Sequence, residues 1–471
     1  MMSGGHIYNY ADIVVSNYDF NKIIDMQITR KLNEHAKLYL KGMVNYGIGD
    51  KYVEETNENS FIKISLKEED ESSNSIFQGV ITNISISVDN DVRMLEIEAL
   101  SKTFLMDLKK KKRSFQNENQ SYISIINSIN SNNNASVNDN ATNGAVIDKF
   151  LVQYEETDWE FIKRLASHFN AALIPECQLD NIKYSIGKSG YAASHFLDEF
   201  NYSINKELGE FRAKSGSGIN GIDEMDLITY EIVTNKVLNL TDSVTFKGKN
   251  LYVYEAEIEM HNSVVSNKYK LRDGNGLKVN KIYNNKVVGA SLKGTILDTK
   301  NDIVKVNLEI DGGENSGSRW FPYSTVFSSE DGSGWYCMPE NGDAVRLYFP
   351  DNVEKNAYVI SSVNLKSSNS QKRNDPSVKS LSTKYGKQLV MEPGAVSLIG
   401  GAGNLVKMTD DGGIQIVSGN KIVLDAQDDI EIKGKAKVSI NGDSGVDLTQ
   451  NSAKLSINDD VTMSGGKVKI E

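Results

Sequence analysis

The chain has 471 residues, a formal net charge of −11 and a hydrophobic fraction of 39%. At about 150 residues per domain this length predicts about three domains, and the hydrophobic fraction is sufficient for packed cores. The acidic balance argues against sequence-specific nucleic-acid binding, because phosphate contacts need clustered Lys and Arg. We interpret the one basic run, Lys109–Arg113, as a solvated surface.

Cysteines, histidines and the first residues carry no signature of a special site or compartment. Cys177 and Cys337 have neither C-x-x-C nor metal-ligand spacing, and we expect reduced thiols in a protein made in the cytosol. The five histidines lack metal-site spacing, so the sequence predicts no metal, cofactor or catalytic residue. Met1–Tyr10 does not resemble a signal peptide, and no apolar run is long enough for a membrane helix.

Strand patterns dominate the N-terminal part of the chain. The segments Phe61–Leu66, Ile81–Val88 and Val92–Leu100 alternate apolar and polar residues, as strands with one buried face do. We predict a small antiparallel barrel over residues 1–112.

Two helices are predicted in the following α+β insert, residues 113–205. Ser121 is the candidate N-cap of the first, and the polar stretch Ser131–Asn143 after it is predicted to be a loop. The second begins with the capping box Thr157–Glu160, whose first and last side chains satisfy backbone donors. The apolar residues at helical spacing are Tyr122, Ile125, Ile126 and Ile129 in the first helix, and Trp159, Ile162, Leu165, Ala166 and Phe169 in the second.

Glu155, Glu156 and Asp158 form an acidic cluster at the start of the second helix. Paired carboxylates are the catalytic groups of glycoside hydrolases. The capping box explains the cluster better, and we interpret these acids as structural.

Two further β regions follow. Mixed β patterns, including Leu251–Ile258, predict a second barrel over residues 206–289. Short strands at Ile303–Ile310, Ala344–Phe349 and Ala357–Val363 alternate with Gly, Asp and Asn turns. This spacing predicts a small five-stranded barrel over residues 290–365. Residues 366–386 are polar and free of pattern, and we predict a linker there.

The C-terminal segment, residues 387–471, carries a repeat. Pairs of apolar residues, separated by one residue, recur with a step of eight positions. The pairs that keep this step, called here the strict pairs, are Ile414 with Ile416, Ile422 with Leu424, Ile430 with Ile432, Val438 with Ile440, and Val446 with Leu448. Three pairs with less regular spacing follow them, Leu455 with Ile457, Val461 with Met463 and Val468 with Ile470.

Each pair predicts a short strand with one apolar face, and a strand this short cannot bury that face by itself. Three parallel chains wound about one axis would bury the pairs at the centre and would pair every edge strand. We therefore expect a homotrimer whose axis is lined by the strict pairs. The alternative is a monomeric meander of hairpins.

Four stretches and the repeat together resemble the VgrG and phage late control D family. The resemblance extends along nearly the whole chain, and the order and joint presence of the stretches are more specific than any one of them. The stretches are Ile76–Ile81, Ser114–Gln116 with Ser121–Tyr122, Gln153–Ala166, and Trp320–Tyr323 with Met338–Val345.

The resemblance implies a mainly β fold with two hub barrels, an OB-fold over 290–365 and a triple-stranded β-helical spike. In such a homotrimer the N-terminal barrels form a pseudo-hexameric ring that adapts the spike to a six-fold tail tube. The implied function is structural and non-enzymatic: hub and cell-puncturing spike of a contractile system, with hexameric tube and baseplate proteins as partners. A phage tail, an R-type bacteriocin and a type VI-like system all remain open.

The sequence also departs from the family pattern. Its last histidine is His261, so the spike has no histidine to hold a tip ion, and no globular domain follows the repeat; we expect a separate tip protein. The gap before the repeat is too short for a lysozyme domain. The alternatives are a tail-spike hydrolase of polysaccharide or peptidoglycan, and an adhesin with a receptor domain.

Overall fold

The computed structural model describes residues 7–68, 72–188, 193–261, 263–313, 317–364, 373–457, 461–464 and 467. The chain divides into two compact units, Met1–Leu365 and Lys366–Glu471. Residues 366–372 of the predicted linker, and the loose pair of Val468 and Ile470, lie outside the described residues.

The N-terminal barrel is built from antiparallel strands in the spatial order β1-β4-β5-β6-β3-β2. Its elements are β1 (Ile13–Val15), β2 (Lys22–Lys31), β3 (Lys37–Val44), α1 (Gly49–Glu55), β4 (Phe61–Lys67), β5 (Ser73–Asp89) and β6 (Val92–Ser101). Alternate side chains such as Met26, Ile28 and Leu40 are fully buried, which is the period-two burial of a strand. The three predicted strands are confirmed within β4, β5 and β6.

Strand β5 approaches β6 closely at Gly79. A Cβ atom at this position would lie 2.2 Å from the Leu100 carbonyl oxygen and 2.7 Å from the Phe77 ring. Any side chain would therefore displace the barrel backbone. The glycine of the Phe77-Gln78-Gly79 stretch is required by packing.

The insert contains both predicted helices. Its elements are β7 (Lys111–Phe115), α2 (Tyr122–Ser131), β8 (Ala135–Asp139), β9 (Leu151–Glu156), α3 (Asp158–Ser167), β10 (Leu173–Glu176) and β11 (Ile182–Ile186). Ser121 caps α2 through the backbone N–H of Ser124, as predicted. The predicted apolar faces of α2 and α3 are buried in one core, with Phe169 partly buried beside it.

The predicted loop Ser131–Asn143 is wrong in its middle. Ala135–Asp139 is strand β8, which pairs in parallel with β11. Only Ala135, Val137 and Asp139 turn inward, and only partly. A short edge strand rich in Asn and Ser gives too weak an alternation to be distinguished from a loop.

A second group of strands continues the same sheet. Its elements are β12 (Ser194–Leu197), β13 (Tyr202–Lys206), α4 (Leu208–Gly216), β14 (Ile228–Thr234), β15 (Ser243–Phe246), β16 (Lys249–His261) and β17 (Val264–Arg272). Strand β16, which contains the predicted strand Leu251–Ile258, pairs antiparallel with β2 and sets Ile258 opposite Ile28. This pairing joins the N-terminal barrel to the second group. Strands β12 and β13, from the predicted insert, pair with β15 and β14.

A five-stranded sheet follows within the first unit. Its strands are β18 (Ser291–Lys300), β19 (Ile303–Leu308), β20 (Trp320–Pro322), β21 (Ala344–Tyr348) and β22 (Tyr358–Ile360). They lie in the order β20-β19-β18-β21-β22. A parallel bridge between Tyr323 and Val359 connects the two ends of this order. The strands therefore close around their own core, which also takes in Phe150 from the insert.

The second unit contains two separate antiparallel meanders. Their strands are β23 (Lys379–Ser382), β24 (Gln388–Glu392), β25 (Ala395–Gly401), β26 (Asn404–Thr409) and β27 (Gly413–Val417) in the first, and β28 (Val446–Gln450), β29 (Ala453–Ile457) and β30 (Val461–Ser464) in the second. Each strand pairs with its neighbour in the chain. The hairpin alternative therefore describes both ends of the repeat.

Between β27 and β28 the described chain forms no strand ladder, although Ser418 and Gly419 at its start donate hydrogen bonds to the Asn404 side chain. Residues 418–445 contain no strand, and every residue from 419 to 444 is exposed. The strands predicted here do not form within the single chain, where the backbone groups have no partner strand. This applies to three of the strict apolar pairs, formed by Ile422 and Leu424, by Ile430 and Ile432, and by Val438 and Ile440, and their pairing between three chains stays a prediction.

Candidate functional site

Two of the stretches that carry the family resemblance, Ser114–Gln116 and Gln153–Ala166, contact each other where the insert meets the five-stranded barrel. The Ser114 backbone N–H and hydroxyl donate to the two carboxylate oxygens of Asp311, at 2.6 and 2.7 Å. The buried Gln116 side chain donates to the Val306 carbonyl oxygen in β19 at 3.1 Å. These contacts fix strand β7 against the barrel, and we treat this junction as the candidate functional site.

The capping box of α3 forms as predicted. The Thr157 hydroxyl accepts from the Glu160 N–H at 3.0 Å, and the Glu160 carboxylate accepts from the Thr157 N–H at 2.9 Å. The Thr157 hydroxyl also donates to Asp107, whose carboxylate lies 3.2 Å from His35 Nε2. Burial raises the pKa of Asp107, but hydrogen bonds from His35 and Thr157 outweigh it and leave the pKa below its usual value. The cap thus also connects α3 to the N-terminal barrel.

Asp158 is a buried carboxylate with several donors around it. Lys111 Nζ lies 2.6 Å from one carboxylate oxygen and Arg113 Nη2 lies 2.5 Å from the other. Asn133 and Gln153 donate hydrogen bonds at 2.8 and 3.2 Å. Burial alone raises the pKa of this carboxyl, but these donors and charges hold it below its usual value. Asp158 therefore remains ionised and fully paired.

Arg164 is a buried guanidinium that connects α3 to the barrel. Its Nε and Nη2 atoms donate to the two carboxylate oxygens of Glu156 at 2.7 and 2.8 Å. Nη1 donates to Glu354 at 3.0 Å, and Nη2 donates to the Val152 carbonyl at 2.8 Å. Glu354 also accepts from the Val152 N–H at 3.1 Å. Burial opposes the charge, but the two carboxylates raise the pKa of Arg164 above its ordinary value.

Arg164, Glu156 and Glu354 form a buried group of ion pairs between α3 and the five-stranded barrel, which we call the ionic joint. A general acid in a glycoside hydrolase has a raised pKa, whereas the pKa of Asp158 is lowered, and Glu156 is held by Arg164. Glu155 is half-buried and pairs with Lys112 at 2.7 Å. The interpretation of Lys109–Arg113 as a solvated surface is wrong for Lys111 and Arg113, because both neutralise Asp158.

Nine of the ten residues predicted to line a trimer axis are exposed in the single chain. All except the half-buried Val446 have between 48% and 72% of their surface exposed. Ile414, Ile416, Val446 and Leu448 lie in β27 and β28. The other six lie in the unpaired stretch, and they are Ile422, Leu424, Ile430, Ile432, Val438 and Ile440. The single chain therefore leaves unburied the apolar surface that the repeat presents.

Sequence reasoning found the cap of α3 but missed Arg164 and Glu354. Helix α3 is buried on nearly all sides, including Phe161 and Arg164. The amphipathic pattern therefore describes only one of its buried faces. An arginine is ordinarily exposed, and its partner Glu354 lies 190 positions away, so no local pattern connects the two.

Two kinds of feature are absent from the described residues. No group of three or more His, Cys, Asp or Glu side chains is arranged to hold a metal ion in the part of the chain that the structure describes. Within the same ranges, no helix has the length and hydropathy needed to cross a membrane.

Comparisons with solved structures find a similar fold in proteins of type VI secretion systems. The structure aligns with a type VI secretion component of Escherichia coli, which is described as similar to the phage T4 tail proteins gp27 and gp5. The TM-score is 0.53 at 12% identity, over 74% of this chain and 98% of that chain. A chain of the lidded Francisella PdpA–VgrG complex aligns with a TM-score of 0.56 at 11% identity, over 86% of this chain and 79% of that chain.

The lidless PdpA–VgrG complex gives a TM-score of 0.53 at 12% identity, over 84% of this chain and 93% of that chain. A family model described as the Alg8 N-terminal domain matches residues 59–204, which is less than half of the chain. No curated protein sequence matches. The chain has the fold of VgrG-related proteins, and the resemblance predicted from its motifs is confirmed at the level of fold.

Proposed function

We propose that this chain is the structural hub and cell-puncturing spike of a contractile phage-tail-like injection system. A phage tail, an R-type bacteriocin and a type VI-like machine all fit this role. Two observations together carry the proposal. One is the VgrG-like fold. The other is the part of the eight-residue repeat at residues 418–445, called here the octad stretch, which is exposed and forms no strand ladder in the single chain.

The first part of the proposal is that the five-stranded sheet is an OB-fold barrel joining hub to spike. In an OB-fold, five strands close into a small Greek-key barrel. The order β20-β19-β18-β21-β22 and the parallel bridge between Tyr323 and Val359 support this assignment.

The second part is that three copies assemble through the octad stretch. An extended backbone without a ladder must pair elsewhere or remain hydrated. Exposed apolar pairs, such as Ile422 with Leu424 and Ile430 with Ile432, add a hydrophobic driving force for association. Three parallel chains satisfy both needs, with the apolar pairs at the axis.

The third part concerns the assembled particle. In the proposed homotrimer the two strand groups joined by β2 and β16 form a pseudo-hexameric ring that contacts hexameric tail-tube and baseplate proteins. The chain is made in the cytoplasm, joins the particle, and acts at the envelope of the target cell. A separate protein completes the spike tip.

The proposed role is mechanical and not enzymatic. The acidic cluster that could suggest a polysaccharide or peptidoglycan hydrolase is engaged in ion pairs, and the pKa of Asp158 is lowered. These observations favour the ionic joint over a hydrolase.

Absolute mass in solution tests the octad proposal. The wild-type chain should have about three times the mass of its 52.2 kDa monomer by light scattering. Ile422→Asp should abolish the trimer, because three carboxylates would meet in a desolvated axis. Val423→Asp is the matched control: it introduces the same charge one residue away, on the opposite face of a strand, and should remain trimeric.

Two results would contradict the octad proposal. One is a wild-type chain that is monomeric at micromolar concentration. The other is an equal loss of mass in Ile422→Asp and Val423→Asp, because it would mean that the side-chain face is irrelevant.

A further inference from the structure

A polar cavity of about 540 Å³ lies within the first unit, next to the ionic joint. The insert, the connection that precedes the five-stranded barrel and a turn of the barrel itself all contribute to its walls. The charged and titratable residues in these walls are Asp148, Lys149, Arg164, His168, Lys281, Tyr283, Glu354 and Lys355.

The walls carry an excess of positive charge in a chain that is acidic as a whole. Arg164 is compensated by its two carboxylate partners. Lys149, Lys281 and Lys355 form no ion pair with any carboxylate in the described ranges. Since one arginine charge is shared by two carboxylates, the group of Arg164, Glu156 and Glu354 has one negative charge in excess. This charge and Asp148 together oppose three lysines, so one positive charge remains without counter-charge.

The lysine charges act on their neighbours. Burial, together with the charges of Lys149, Arg164 and Lys281, lowers the pKa of His168 to about 2. Burial and the charges of Lys281 and Lys355 also lower the pKa of Lys149, and they outweigh the opposing charges of Asp148 and Glu354. Positive groups held close together with too few counter-charges are unfavourable, and an anion among them relieves the repulsion.

His168 provides a neutral donor at the same place. Its Nδ1 atom lies 2.9 Å from the Tyr122 hydroxyl. An imidazole that accepts this hydroxyl at Nδ1 carries its proton on Nε2 and can donate it to a ligand. Lysine ammonium groups are compact point charges suited to phosphate oxygens.

We propose that this cavity binds a multivalent oxyanion of the phosphate type, contacted by Lys149, Lys281, Lys355 and the His168 imidazole. The anion connects the insert, the preceding connection and the barrel turn, and so reinforces the joint made by Arg164 and Glu354. This inference does not depend on the proposed role in an injection system.

Calorimetric titration of the full-length protein tests the site. Inorganic phosphate and ATP are the two probes, each at about pH 7.5 and constant ionic strength, so that general screening does not change. Saturable binding of either probe supports the site. The probe that binds more tightly shows whether the oxyanion comes from free phosphate or from a nucleotide. A ligand that binds only the folded chain should also raise its unfolding temperature.

Three variants test whether binding depends on the lysines of this cavity or on lysines elsewhere in the chain. Lys281→Gln and Lys149→Gln should each weaken binding about tenfold or more, because each removes one charge-assisted contact. Lys293→Gln is the matched control, since Lys293 is exposed on β18 outside the cavity, and it should bind like the wild type. Failure of the wild type to bind either probe, or equal weakening in all three variants, would overturn the proposal.

Discussion

Replacing Arg164 by methionine is the sharpest test of the ionic joint. Methionine retains a long side chain but removes the guanidinium that pairs with Glu156 and Glu354. These carboxylates are only 6% and 8% exposed, so the variant would contain two buried acids without a counter-charge. Breaking a buried ion pair by removing one partner typically costs about 3–5 kcal/mol, and we expect a loss of unfolding free energy in this range.

Urea unfolding of the full chain, followed by tryptophan fluorescence, measures this loss. Trp159 is buried on α3 itself, so its signal reports the loss of packing around the joint. Arg212→Met is the matched control, because Arg212 is an exposed residue of α4, and it should change the unfolding free energy by less than about 0.5 kcal/mol.

A triple variant distinguishes lost pairing from lost packing. Arg164→Met combined with Glu156→Gln and Glu354→Gln removes all three charges and should recover part of the loss, since neutral amides are cheaper to bury than carboxylates. A cost below about 1 kcal/mol for Arg164→Met, or a triple variant less stable than the single one, would refute the assignment of the joint as a charge-dependent contact.

Two further predictions concern the same part of the fold. Thr157→Ala should cost about 1 kcal/mol of unfolding free energy, because it removes the N-cap of α3 and the donor to Asp107; Thr157→Ser should recover most of it in the same urea assay. The pKa of His168 is about 2 in the folded chain and about 6.5 when unfolded, so the unfolded state binds the extra proton. Stability should therefore be full above about pH 7.5 and fall by about 2 kcal/mol by about pH 5; urea midpoints across this range that respond equally in His168→Gln would contradict the assignment.

Local signals explain what could be predicted from the sequence. The caps at Ser121 and Thr157 act within three residues of themselves, and the apolar faces of α2 and α3 repeat within a few turns. The strands of the N-terminal barrel have one buried and one open face, so their alternation is visible in residues such as Leu95 and Ile97.

Non-local contacts explain which features of the structure could not be predicted from the sequence. Arg164 and Glu354 are 190 positions apart, and β2 pairs with β16 across a comparable separation. Short edge strands such as β8 and β12 have weak intrinsic patterns, since they form only when a longer partner presents its backbone. The ionic joint and the sheet that joins the two groups of strands therefore depend on tertiary structure, and no local motif predicts them.

The octad repeat shows where sequence periodicity is ambiguous. An apolar residue at every second position is the same pattern whether a strand pairs within its own chain or with another chain. At the ends of the repeat, β27 and β28 find in-chain partners. Between them, residues 418–445 keep the step of eight residues without a strand ladder in the chain. Because this stretch is exposed and pairs with no strand, nothing in the single chain offsets the conformational entropy lost when it becomes ordered. The partners that would order it must come from outside the chain, which is why the side-chain face probed by Ile422→Asp and Val423→Asp decides between assembly and a frayed segment.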